Sequence, residues 1–91
     1  MLYYSTVNNV VMTHSRVMEE NGFDYIKLHF ERPNQNGFDF MDMKLPGGFI
    51  TSSFGFSEDE ILELKEYARD NEPLVWELAR EGGAVDAKSI T

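Results

Sequence analysis

Four carboxylates, Asp59, Glu63, Glu66 and Asp70, recur at i, i+4, i+7 and i+11. On an α-helix that spacing places them along one face. Asp59–Glu63 and Glu66–Asp70 are like-charge pairs four residues apart, each unfavourable by roughly 0.2–0.5 kcal/mol. Asp70 would also sit at the negative end of the helix dipole. Only the Glu66–Arg69 spacing offers direct relief. A row kept at a local cost is a candidate docking surface for a basic protein partner, where it would govern encounter and orientation more than affinity. Its plainer role is to keep the chain soluble.

The two histidines offer a second chemistry. If the segments flanking Asn21-Gly22 pair through a two-residue turn, His14 stands opposite His29, with Cβ atoms roughly 5 Å apart. Asp42 would face His29 from the following strand. Two imidazoles and a carboxylate form a metal-ligand set. The same register, however, opposes Arg16 to Lys27 and Glu19 to Asp24, and a helical segment at 7–20 would dissolve the set. Two half-exposed sheet histidines are the plain alternative.

Other chemistry is poorly supported. No Asp or Glu is set in an apolar surround that would raise its pKa for acid–base work. The serines at 52, 53 and 57 lack a nucleophile-elbow pattern, and Gly47-Gly48 and Gly82-Gly83 do not match a phosphate-binding loop. The chain has no cysteine, hence no thiolate zinc site or cysteine nucleophile. No catalytic residue and no cofactor is expected. Sixteen acids against eight bases leave a net charge of −8 over 91 residues, which argues against direct nucleic-acid binding and against a basic membrane-surface helix. The first residues lack the basic and apolar regions of a secretory signal, and no apolar run is long enough to span a bilayer. The cytoplasm is the expected compartment.

The elements that must position these residues divide the chain in two. Through Phe56, Asn-Gly pairs at 21–22 and 36–37 and the Pro46-Gly47-Gly48 break separate runs rich in Val, Ile, Phe, Tyr and Thr. Strands are expected at about 10–19, 23–32, 38–45 and 49–55, with residues 1–7 as an edge segment. A loop at Asn34–Gly37 pairs Phe30 with Met41, Leu28 with Met43, Ile26 with Leu45 and Arg32 with Asp39. One face is then wholly apolar, with an ion pair near the turn. Helix is the rival at 7–20, where Val7, Val10, Val11, His14, Val17 and Met18 share a stripe. The Val, Thr and Asn content favours the strand.

From Ser57 the period becomes helical. Ser57-Glu58-Asp59-Glu60 is a capping box, and Ile61, Leu64 and Ala68 mark a buried stripe. The helix is expected to end near Asp70, with Asn71 capping a second helix. Pro73 would lie in the first turn of that second helix, Leu74, Val75, Leu78 and Ala79 would face inward, and Gly82-Gly83 would end it. The charge follows this division. Residues 1–56 carry six acids and four bases, and residues 57–83 carry nine acids and three bases.

The expected fold is therefore α+β: a small antiparallel meander of three or four strands with a C-terminal helical hairpin on one face. Residues 1–83 form a single domain and residues 84–91 a flexible tail. Phe23, Tyr25, Phe38 and Phe40 fall on the sheet face opposite the helices, as a candidate exposed aromatic surface. The segments GFSEDEI and WELAREGG resemble the compact helical ends of small bacterial or mobile-element proteins without assigned function, a resemblance that carries no functional residue with it. The expected function is a small acidic protein-interaction module, such as an inhibitor or antitoxin-like protein covering a basic partner surface. The alternatives are a metal-binding protein or small hydrolase using His14, His29 and Asp42, and a structural homodimer without a separate ligand.

Overall fold

The computed structural model describes residues 1–81, so the segment expected as a tail lies outside the described residues. Six strands precede one helix: β1 Leu2–Val7, β2 Val10–His14, β3 Met18–Glu20, β4 Phe23–Asn34, β5 Gly37–Leu45, β6 Phe49–Phe54 and α1 Glu58–Arg80. All pairings are antiparallel. The sheet order is β1-β2-β4-β5-β6, with β3 also on β4. The chain is α+β with an antiparallel sheet. Among the described residues it has more strands than the expected three or four, and one helix in place of the hairpin.

Turn chemistry accounts for the connections. Asn21 and Gly22 both have positive φ, at 53° and 83°, as a two-residue hairpin turn of the primed kind requires. Asn8 and Asn9 do the same between β1 and β2, at 51° and 69°. Asparagine tolerates this region better than other residues with a side chain. Gln35 and Asn36 join β4 to β5, with the Asn34 side chain accepting the Asn36 N–H at 2.7 Å. The β4–β5 register matches the expectation, with Phe30 on Met41, Leu28 on Met43, Ile26 on Leu45 and Arg32 on Asp39.

The N-terminal segment is strand, not helix, and it is broken. In β3, Met18 pairs with Tyr25 and Glu19 with Asp24, as the two-residue turn dictates. In β2 the register has moved by one residue, so that Met12 pairs with Phe30, Thr13 with His29 and His14 with Leu28. Ser15 holds Lys27 from both sides of the slip, donating its N–H to the Lys27 carbonyl and accepting the Lys27 N–H on Oγ, each at 2.9 Å. Arg16 and Val17 thus form the extra length. The slip puts Met12 and His14 on the same face as Leu28 and Phe30, where both are buried. The unslipped register would turn them to the other face and oppose Arg16 to Lys27.

The core lies between that face and the helix. Met12, Ile26, Leu28, Phe30, Met41, Met43 and Leu45 come from the sheet, and Ala68, Val75 and Ala79 from α1. Small residues at 68 and 79 allow close approach to a sheet face carrying three methionines, whose flexible side chains fill irregular gaps. The helix runs through Pro73 without interruption. Asn71 does not cap a second helix: its Nδ2 donates to the Tyr67 carbonyl at 2.8 Å, and its Oδ1 accepts from the Tyr4 hydroxyl at 2.7 Å. Because the helical phase never resets, Leu74 points to solvent, 48% exposed, rather than inward.

The helix start is fixed by Arg32. The capping box is present, with Glu60 N–H on Ser57 Oγ at 3.2 Å and Ser57 N–H on Glu60 Oε1 at 2.9 Å. Arg32 donates to Glu60 at 2.6 Å and, through Nε, to Asp39 at 2.9 Å, and lies 4.7 Å from the Phe56 ring centre. The hydrogen bond from Arg32, followed by that from the Ser57 backbone, lowers the Glu60 pKa from 4.5 to about 2. Gly55, at φ 91°, passes so close to Asp39 that a Cβ there would collide with the carboxylate.

Two outcomes test this arrangement. Pro73→Ala restores an N–H to the Arg69 carbonyl, so thermal unfolding should rise in temperature, corresponding to about 1–2 kcal/mol after allowance for the unfolded chain. In the first turn of a second helix the same change would bring no gain. A lowered folded-state pKa means that Glu60 stabilises the fold fully above pH 4.5 and that this contribution is lost as pH falls through about 2. Chemical denaturation of Glu60→Gln should therefore show a weaker loss of stability over that window than the parent chain.

Candidate interaction surfaces

Alternation along β4 and β5 sends Tyr25, Lys27, His29 and Glu31, together with Phe38, Phe40, Asp42 and Lys44, to the sheet face away from the core. No part of α1 packs on this face, since the buried residues of α1 join the core on the other side. Phe23, Tyr25, Phe38 and Phe40 all lie on the uncovered face, as their spacing implies. They do not form one continuous patch. Phe38 and Phe40 lie toward the Gln35-Asn36 end, with Phe54 of β6 stacked on Phe40 at 6.3 Å. Phe23 and Tyr25 lie toward the Asn21-Gly22 end, with Lys44 4.7 Å from the Tyr25 ring centre.

A polar row separates the two aromatic groups. Thr13, His29, Asp42 and Ser52 follow one another across β2, β4, β5 and β6. His29 Nδ1 bonds Asp42 at 2.6 Å and Nε2 bonds Glu31 at 3.1 Å, and Ser52 Oγ donates to the other Asp42 oxygen at 2.9 Å. The imidazole also stacks on Phe40 at 6.3 Å. Burial pulls its pKa down, but the hydrogen bonds and charges of Asp42 and Glu31 outweigh burial and leave it above 6.5. With both ring nitrogens directed at carboxylates, the protonated form satisfies every donor. Ser52 Oγ meets the Asp42 carboxylate rather than the His29 imidazole.

The proposed metal set of His14, His29 and Asp42 is not assembled. Asp42 does face His29, but the one-residue slip places Thr13, not His14, opposite it. His14 points to the core side, 2% exposed, with Nδ1 2.8 Å from the Ser15 carbonyl and its ring edge-on to Tyr4 at 6.4 Å. Among the described residues, no group of three or more His, Cys, Asp or Glu side chains could hold a metal ion.

The acidic row is on α1, and Asp59, Glu63, Glu66 and Asp70 are all exposed. Its C-terminal half is partly neutralised, with Arg69 4.0 Å from Glu66 and 3.7 Å from Asp70. Glu63 opens instead on a groove of about 270 Å³ between the helix and the β1–β2 edge, with Val10, Met12, Phe30 and Leu64 among its apolar lining. That volume falls just below the range of small-molecule sites. The helix lies against the covered face and the aromatics lie on the other, so the acidic row and the aromatic surface occupy opposite sides of the molecule.

Three contributors escaped the sequence reading. Glu31 is two residues from His29 on the same strand, a spacing that by itself puts both on one face. Phe49 and Phe54 are 69% and 65% exposed. They share the outer face only because Thr51 is an extra residue in β6, between the pairs Met43–Ile50 and Asp42–Ser52. No family model, curated protein or solved structure matches the chain. Among the described residues no helix is long and apolar enough to cross a membrane.

The His29 environment has a measurable consequence. A raised folded-state pKa contributes stability that is complete below 6.5 and is lost as pH rises through the folded value. The imidazole resonances should titrate with a midpoint above 6.5 in nuclear magnetic resonance. Asp42→Asn should lower that midpoint and flatten the decline of stability above pH 6.5.

Proposed function

We propose that this chain is a protein-interaction module without chemistry of its own, and that it meets its partner through the uncovered face of the sheet. One observation carries the reading. Phe23, Phe38, Phe49 and Phe54 are between 55% and 77% exposed on a face that no element of the described chain covers. Large exposed aromatics gathered on one surface mark contact sites, because their burial supplies much of the binding energy at interfaces. The His29–Asp42–Glu31 cluster between them gives that surface a fixed polar pattern and so a means of selecting a partner. The partner this suits is a protein presenting an apolar surface with polar groups that complement the central row.

The acidic row supports a second reading, in which α1 covers a basic partner in the manner of an inhibitor or antitoxin. It is favoured by Asp59 and Glu63, neither of which has an ion-pair partner among the described residues. Because the two surfaces face opposite ways, they can be tested separately. Phe38→Ser with Phe54→Ser should abolish recovery of a co-purifying partner that the parent chain retains. Amides at Asp59, Glu63, Glu66 and Asp70 should leave that recovery intact. The reverse pattern transfers the function to the helix.

A further inference from the structure

All six residues of β6, Phe49 to Phe54, are exposed, and among the described residues the strand pairs only with β5. Within residues 1–81 its other edge therefore presents backbone N–H and C=O groups to which no strand is paired. Protein sheets ordinarily blunt such an edge with lysine, proline or a covering element. The β6 sequence Phe-Ile-Thr-Ser-Ser-Phe contains no charge and no proline, and its residues are mostly strong strand formers. The opposite sheet edge differs, since Tyr4 and Ser5 of β1 are hydrogen-bonded to Asn71 and Tyr67 of the helix.

The bulge at Thr51 gives β6 a further property. Phe49 pairs with Lys44, Ser52 with Asp42 and Phe54 with Phe40, so these three face outward. Ile50 pairs with Met43 and Ser53 with Met41, so these two face the core side. If β6 is laid antiparallel against a second β6 about a two-fold axis between Thr51 and Ser52, Phe49 meets Phe54, Ile50 meets Ser53 and Thr51 meets Ser52. The Phe49–Phe54 pairs then match on the outer face and the Ile50–Ser53 pairs on the core side, with the two bulge residues at the centre. A six-residue strand with unbroken alternation could not do this, because its first and last residues face opposite ways. The two Phe49–Phe54 pairs would also continue the outer-face row in which Phe54 already stacks on Phe40.

We propose that β6 is the pairing edge for a second copy of this chain, joining two sheets into one continuous antiparallel sheet. The partner is identified by self-complementarity: an uncharged edge, facing that is symmetric about its centre, and aromatic cross-strand pairs at both ends.

Light scattering at high micromolar concentration should give twice the 10.5 kDa chain mass. Ile50→Lys with Ser53→Lys sets like charges directly opposite each other twice in this register and should return the mass to that of one chain. Both positions are exposed in the strand, so circular dichroism should stay that of the folded parent. Ile50→Lys with Ser53→Glu sets opposite charges at the same places and should restore the dimer. A parent chain that remains monomeric overturns the proposal, as does a double-lysine variant that still dimerises. A lysine–glutamate variant that stays monomeric overturns the register.

Discussion

Alternation along β4 is the constraint on which the rest of the structure depends. This twelve-residue strand is paired by β2 and β3 on one side and by β5 on the other. Its residues Ile26, Leu28 and Phe30 are buried to within 1% of complete, so each neighbour must present its own apolar residues on the same face. A shift of one residue would turn a whole neighbour over. The strand leading out of the Asn21-Gly22 turn begins in a register that would send Met12 to solvent. It reaches the required face only because Arg16 and Val17 take up the extra length and the Ser15 side chain replaces a backbone partner of Lys27. The separation of His14 from His29 follows from the same requirement: one imidazole goes to the core and the other to the open face.

Arg32 carries that constraint into the helix. It stands two residues beyond Phe30 on the same side of β4, where an apolar residue would extend the core, and meets Asp39 across the hairpin. Asp39 is buried, so removing the guanidinium would leave a carboxylate without its compensating charge. By also binding Glu60, Arg32 connects the ion pair of the hairpin to the capping box that begins α1. Glu60 thus serves the helix end and the sheet together, and the helix starts where the end of the β4–β5 hairpin holds it. The absence of a Cβ at Gly55 lets the connecting chain pass over Asp39 on the way.

What was legible in the sequence was what local chemistry determines. The β4–β5 register followed from charge and apolar pairing around one turn, and the capping box from the identity and spacing of Ser57 and Glu60. Period-two alternation put residues 23, 25, 38 and 40 on one face, where Phe23 and Phe38 are exposed and Tyr25 and Phe40 are half-buried. What was hidden depended on contacts between distant segments. The slip between β2 and β3 is set by burial of Met12 against Phe30. The helix passes Pro73 because Ile61, Ala68, Val75 and Ala79 keep a single phase against the sheet, which outweighs the local preference of Asn71-Glu72-Pro73 for a new start. That phase was readable, but Leu74 and Leu78 suggested another one. The outward turn of both Phe49 and Phe54 was hidden for a related reason, since a bulge breaks the alternation from which facing is inferred.

The continuous helix also accounts for the open surfaces. A helix with its side chains is about 10 Å across, and adjacent strands lie about 4.8 Å apart. One helix can therefore shield only two or three strands. Here it crosses β2, β4 and β5, where the buried residues lie, and is tied to β1 through Tyr4 and Tyr67. β6 is left beyond its reach on the covered side, and among the described residues nothing covers its outer side. A two-helix hairpin would have been wide enough to cover that strand. With one helix among the described residues, the chain closes its core with alanines and a valine and leaves a strand of phenylalanine, isoleucine, threonine and serine at the margin. An edge with that composition invites pairing with another strand. A symmetric contact closes after one partner, whereas an edge open to any strand would continue to add chains.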